Sequence, residues 1–337
     1  MREHLKLYLL RKPLFSRENT IFKYFLRLSL LFFILMSSVF AEEKIVKVNG
    51  LDIWSETFGK KEDPVILLIM GSGGQGILWR KEFCEKFAKN GFYVIRYDHR
   101  DVGESSSCNY EEQPYDLMDM TRDAVGLLDS LQIRKAHLVG ASLGGCIVQL
   151  MAVHFPEHVH TISLLMTSPD FRNFFDALEG KPLRNKDLSP PTEDYLKWFH
   201  SLAGQTAETE EEKAELFLNG QEICNGPNIP FSREKCRELI LLSLKRQSNP
   251  ATPLNHMRAL RVSLDQIRGI QSQIKVPTLI IHGTKDPIVP KDHGQALAQS
   301  ITGAKLLLLE GLGHSLNFHF EDVIITNIID HCSQRKE

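Results

Sequence analysis

Several protein classes are excluded by what the sequence lacks. Its six cysteines, Cys84, Cys108, Cys146, Cys224, Cys236 and Cys332, form no CxxC pair and no Cys/His cluster, so no structural metal site is expected. In an oxidising compartment Cys84 with Cys108, or Cys224 with Cys236, could pair; free thiols acting as small hydrophobes fit the spacing equally well. Charge of neither sign is in excess: 40 Lys and Arg against 42 Asp and Glu leave a net charge of -2. That balance gives no reason to expect a nucleic-acid partner. There is no Gly-Lys-Ser/Thr phosphate loop and no GxGxxG with a downstream acid, so no nucleotide cofactor is implied. Internal repeats and low-complexity tracts are also missing.

The N-terminus differs from the remainder. Seven basic residues (Arg2, Lys6, Arg11, Lys12, Arg17, Lys23, Arg27) precede the apolar run Leu28–Phe40, and Val39-Phe40-Ala41 follows as a cleavage-type sequence. The run is roughly thirteen residues, short of the ~20 that span a bilayer as a helix. The arrangement is that of a secretory signal over 1–41, with Glu42 as the mature start and export to the periplasm or medium. An uncleaved N-terminal membrane tether is the alternative.

From residue 42 onward, short β-type runs alternate with helical stretches, predicting a mostly parallel sheet covered by helices on both faces. Ile45–Val48 and Leu51–Phe58 form an opening hairpin around Asn49-Gly50. Apolar runs at 64–70, 92–97, 136–140, 159–166, 278–281 and 305–309 supply the further strands, with helices over 115–131, 146–154 and 322–331. The rhythm breaks at 170–255, where polar helical stretches (192–202, 206–218, 232–244) are separated by joints such as Ser189-Pro-Pro191 and Asn225-Gly-Pro227. This predicts a helical cap inserted between two core strands, the core being 42–169 and 256–337.

Gly140-Ala-Ser142-Leu-Gly144 lies directly between an apolar strand and a helix. A strand-to-helix turn that tight presents the serine from a strained backbone, and its glycines relieve the crowding. A serine hydroxyl needs a base, and the base needs an orienting carboxylate. The expected chain order is serine, acid, histidine. Asp286 follows the strand at 278–281 and His314 follows the strand at 305–309. Asp170 is the rival position for the acid. The oxyanion donors are expected at the amide of Leu143 and, in the loop Met70-Gly-Ser-Gly-Gly-Gln-Gly76, at the amide of Ser72. Trp79 near that loop, and Trp198 and Phe199 in the cap, are candidate pocket walls. The charged cluster Asp98-His-Arg-Asp101 reads as a hydrogen-bonded turn, and His282 as a packed residue.

Together these elements resemble the α/β-hydrolase superfamily from about Lys44 to the C-terminus. The strings Arg96-Tyr-Asp-His-Arg-Asp-Val-Gly-Glu-Ser105, Tyr115-Asp-Leu-Met-Asp-Met120 and Asp286-Pro-Ile-Val-Pro-Lys-Asp-His-Gly294 are similar to the aclacinomycin methylesterase-like subgroup. The resemblance implies a Ser-Asp-His carboxylesterase acting on a small-molecule ester without a cofactor. Met70-Gly71 stands where most of the wider family has His-Gly, so that histidine's role does not transfer. A lactonase, thioesterase, amidase or aminopeptidase would use the same triad, and a non-catalytic binding protein would use only the fold.

Overall fold

A computed structural model describes residues 41–333 of the chain. The expected signal lies outside these residues, except for Ala41, which opens the first strand. The chain forms one eight-stranded sheet: β1 (Ala41–Val48), β2 (Leu51–Phe58), β3 (Val65–Ile69), β4 (Tyr93–Tyr97), β5 (Ala136–Ala141), β6 (Val159–Leu165), β7 (Thr278–Gly283) and β8 (Lys305–Leu309). The spatial order is β1-β2-β4-β3-β5-β6-β7-β8, with β1 and β2 antiparallel at one edge and all pairs from β4 to β8 parallel. The β1–β2 turn holds Asn49 at φ 50° and Gly50 at φ 84°, the left-handed pair that matches the twist of a two-residue hairpin.

Strands β3, β4, β5 and β7 are buried at every residue, which explains their unbroken apolar runs. Alternation along β5 separates the two helical layers. His137 points to the face where its neighbour Thr161 meets Cys332 in the last helix, α11 (Glu321–Ser333). Gly140 points to the opposite face, where an added Cβ would stand 2.6 Å from Val148 of α3 (Leu143–His154). The helix α1 (Lys81–Lys89) shares the α11 face, and α2 (Leu117–Ser130) packs with α3. The N-cap carboxylate of Asp116 accepts the Asp119 amide, and Asp119 returns the contact, which fixes where α2 begins.

After β3 the chain moves out to β4, then crosses back over β3 to β5. The loops leaving β3 and β5 therefore diverge, and open α/β sheets bind ligands at such a reversal.

Between β6 and β7 every regular element is helical: α4 (Arg172–Leu178), α5 (Glu193–Ser201), α6 (Glu210–Asn225), α7 (Arg233–Arg246), α8 (Asn255–Val262) and α9 (Leu264–Ile267). The helix α10 (Lys291–Ser300) follows β7. Helix α6 runs past the expected end at 218, through Gly220. The indole of Trp198 in α5 occupies the space a side chain would need there, with a Cβ at Gly220 meeting it at 2.3 Å. No helix among the described residues is long and apolar enough to cross a membrane. All six cysteines are free thiols.

Candidate active site

Ser142 sits between β5 and α3 with φ 53° and ψ -118°, a conformation that side chains avoid and that only strong fastening sustains. The fastening is on both sides of the residue. Its amide donates to the Leu165 carbonyl at 2.9 Å, and its carbonyl accepts from the Gly145 amide at 2.9 Å and the Thr167 hydroxyl at 2.7 Å. The flanking glycines are required for space. A Cβ at Gly144 would stand 2.2 Å from the Ile69 carbonyl oxygen, and one at Gly140 would stand 2.4 Å from that of Gly144. Held this way, the Ser142 side chain remains partly exposed at the sheet reversal.

The loop after β3 lies against it. A Cβ at Gly71 would be 3.2 Å from the Ser142 Cβ and 3.8 Å from its Oγ. Three later amides of this loop are committed: Gly73 to His256 Nδ1 at 2.9 Å, Gly74 to the Gly71 carbonyl at 3.1 Å, and Gly76 to Asp98 Oδ1 at 2.7 Å. The amides of Ser72 and Leu143 donate to no acceptor among the described residues. Both belong to segments that flank the serine.

His314 and Asp286 form a pair. His314 Nδ1 donates to Asp286 Oδ2 at 2.7 Å, while Asp286 Oδ1 accepts the amides of Ile288 and Val289 at 2.9 and 2.8 Å. The carboxylate side chain is fully buried and the imidazole is 11% exposed. With the proton on Nδ1, Nε2 is left as an acceptor. The loops carrying these residues are zipped together: the Lys285 amide donates to Leu312, and the Gly311 amide to the Thr284 hydroxyl. The C-terminus of α6 closes over the histidine loop. There the Gly313 amide donates to the Asn225 carbonyl at 3.1 Å, and the Asn317 side chain donates to that of Asn225.

The structure thus brings Asp286 and His314 together and sets Ser142 at the end of β5, two strands from β7. Asp170, the rival acid, is instead bound by Arg172 and Asn185; these contacts hold its carboxyl below the usual range against burial, which pushes the other way. His282 is fully enclosed, and its Nε2 donates to the Val289 carbonyl at 2.7 Å. Burial pulls its pKa down. The Asp98 cluster is a turn: the Asp98 carboxylate accepts Gly76 and Glu104 amides and pairs with Arg246.

Trp79 is fully buried and packs on Phe83 at 5.4 Å between ring centroids, the position of a core residue beneath the loop. Trp198 and Phe199 are half-buried and pack around Tyr195 within the cap. Sequence reasoning missed Asn225, Thr167 and His256. None of them lies in a motif, and only contacts distant in the chain give them a place. Among the described residues no group of three His, Cys, Asp or Glu is placed to hold a metal ion.

Comparison with known proteins agrees with this architecture. Residues 64–320 match the family described as the alpha/beta hydrolase fold. The chain is 33% identical over 294 residues to rhodomycin D methylesterase of Streptomyces peucetius, covering 86% of this chain and 97% of that protein. It is 25% identical to the mouse serine hydrolase BPHL, over 82% of this chain and 81% of the other. Among solved structures, 2-hydroxy-6-oxo-6-phenylhexa-2,4-dienoate hydrolase from Rhodococcus superposes with a TM-score of 0.68 at 17% identity, over 87% of this chain and 99% of that one. With a sheet reversal, a strained serine turn and a buried acid–imidazole pair at the ends of parallel strands, the chain belongs to the α/β-hydrolase fold family.

Proposed function

We propose that the chain is a carboxylic ester hydrolase that works through an acyl-enzyme, with Ser142 as nucleophile, His314 as base and Asp286 as its orienting acid. The observation that carries this is the Asp286–His314 hydrogen bond, which fixes the tautomer a general base needs. His314 Nε2 takes the Ser142 proton as Oγ attacks the ester carbonyl. The oxyanion is held by the Leu143 and Ser72 amides. Collapse breaks the ester C–O bond, and the alcohol leaves with the proton from His314. Water, deprotonated by the same imidazole, then releases the acid and restores the serine. Asp286 stabilises the imidazolium in both steps and stays ionised itself.

Small-molecule esters of short alcohols are the first substrate class to examine, since the relative 33% identical to this chain is a methylesterase by name. The N-terminal segment makes export, or a tether to the membrane, part of the same proposal; cell fractionation of the native protein decides between them. For the chemistry, purified protein is assayed on a short p-nitrophenyl ester and labelled with a fluorophosphonate. Ser142→Ala is expected to abolish both activities. Labelling retained in that variant, at another residue, would overturn the assignment.

A further inference from the structure

We propose that His256, at the point where the chain returns from the cap to the core, is a positioning residue for the oxyanion loop; this rests on the serine-esterase reading above. His256 is the second residue of α8 and is fully buried. Its Nδ1 accepts the Gly73 amide at 2.9 Å, and its Nε2 lies 2.7 Å from the Arg100 carbonyl. A backbone amide can only donate and a carbonyl can only accept, so the ring is neutral with its proton on Nε2. No other tautomer satisfies both contacts.

A second imidazole fixes the other side of the same loop. His99, also fully buried, donates from Nε2 to the Met70 carbonyl at 3.0 Å. The two rings meet edge to face at 5.5 Å. Met70 and Gly73 are the residues on either side of Gly71-Ser72, so one ring holds the carbonyl before the oxyanion donor and the other holds the amide after it. Gly73 is at φ 68°, and its Cβ position would lie 3.5 Å from Pro253 on the returning segment. That segment is itself anchored: Thr252 donates to the Asp101 carbonyl at 2.7 Å and Asn255 to the Asp101 carboxylate at 3.1 Å. The charged groups around His256 are therefore Arg100 and Asp101 on the turn, with His99 beside it. Burial pulls the pKa of both rings down, His99 to about 3, which keeps them neutral while the enzyme works.

The order matters chemically because an oxyanion donor acts only where it is aimed in advance. If the Gly73 amide lost its acceptor, it would be a half-buried unpaired donor, and the loop would turn to satisfy it. Ser72 would move with it, although no group touching the substrate had changed.

Two amide substitutions separate the two contacts of the ring. The side-chain oxygen of asparagine falls near the place of Nδ1, and the amide of glutamine near that of Nε2. His256→Asn therefore keeps the acceptor for Gly73, and His256→Gln keeps only the donor to Arg100. His256→Gln is expected to lower kcat by about 10- to 100-fold with KM within about twofold, the pattern of a lost transition-state contact. His256→Asn is expected to stay within about threefold of the parent kcat. A parent-like kcat in His256→Gln, or an equal fall in both variants, overturns the proposal. The parent protein gives a test that requires no variant to fold: two-bond 1H–15N spectra should show His256 neutral with its proton on Nε2, and a proton on Nδ1 overturns the role. Ser142→Ala is assayed alongside. Hydrolysis surviving there counts against the esterase reading itself, whereas hydrolysis lost there with an unaffected His256→Gln counts only against His256.

Discussion

Gly144 is where the serine turn touches the backbone of the neighbouring strand. Because its missing Cβ would lie 2.2 Å from the Ile69 carbonyl oxygen, no side-chain rotation can relieve an added methyl. Gly144→Ala is expected to destabilise the fold by about 3 kcal/mol or more, since the added methyl would meet the backbone of Ile69 and Met70 at the end of β3, which cannot swing aside. Urea unfolding followed by circular dichroism measures it, and a loss under about 1 kcal/mol would mean that the turn is looser than described. Asp286 fails differently when changed. Its two oxygens are held by two amides and the imidazole, so Asp286→Asn keeps the shape but presents an NH2 group or a poorer acceptor to His314. The expected result is a fall in kcat of about 10⁴-fold with little change in stability, read by steady-state kinetics and a melting curve. Equal activity would remove Asp286 from the mechanism.

Helix α7 is fastened to the core at its last residue. Arg246 stacks on Trp54, pairs with the fully buried Asp98 at 2.8 Å and reaches Glu104 at 2.9 Å. Burial raises the pKa of Asp98, and Arg246 opposes that rise. Arg246→Met keeps most of the stacking bulk and leaves the carboxylate without its cation. A loss of about 3 kcal/mol is expected at neutral pH, smaller in acid where Asp98 becomes protonated. A loss that did not change with pH would assign the effect to packing instead. Elements of this kind explain what could be read from the sequence. Strands β3, β4, β5 and β7 were legible because burial on both faces demands unbroken apolar runs, and the Asn49-Gly50 turn because few residues accept two left-handed conformations in succession. Helix α6 was read short because Gly220 looks like a stop until Trp198 is seen filling its space. Helices α1, α4, α8, α9 and α10 have no counterpart in the sequence reading, because each is ten residues or shorter and offers few apolar repeats. His256 was not legible at all, since its role depends on an amide 183 positions away. Ser142, Asp286 and His314 were legible because each follows a strand.

Across the whole molecule, several histidines are buried as neutral rings. Burial pushes His99 down to about 3 and His137 to about 4 from an ordinary 6.5, and it also lowers His256, His282 and His331. An unfolded chain protonates these side chains below about 6.5 and the folded protein does not, so the unfolded state binds more protons as the pH falls. Stability is therefore expected to decline between about pH 7 and pH 5, before most carboxylates titrate. Urea midpoints across that window check it, and a flat profile would contradict the neutral rings. Arg246 donates to Asp98, Thr252 and Asn255 donate to Asp101, and Gln247 and His256 accept from the Gly103 and Gly73 amides, so residues 246–256 are tied throughout to the turn and loop beside the serine. Anyone replacing the helices between β6 and β7 with foreign ones should place the seam ahead of Arg246. A seam near residue 255 would carry off bolts that belong to the floor.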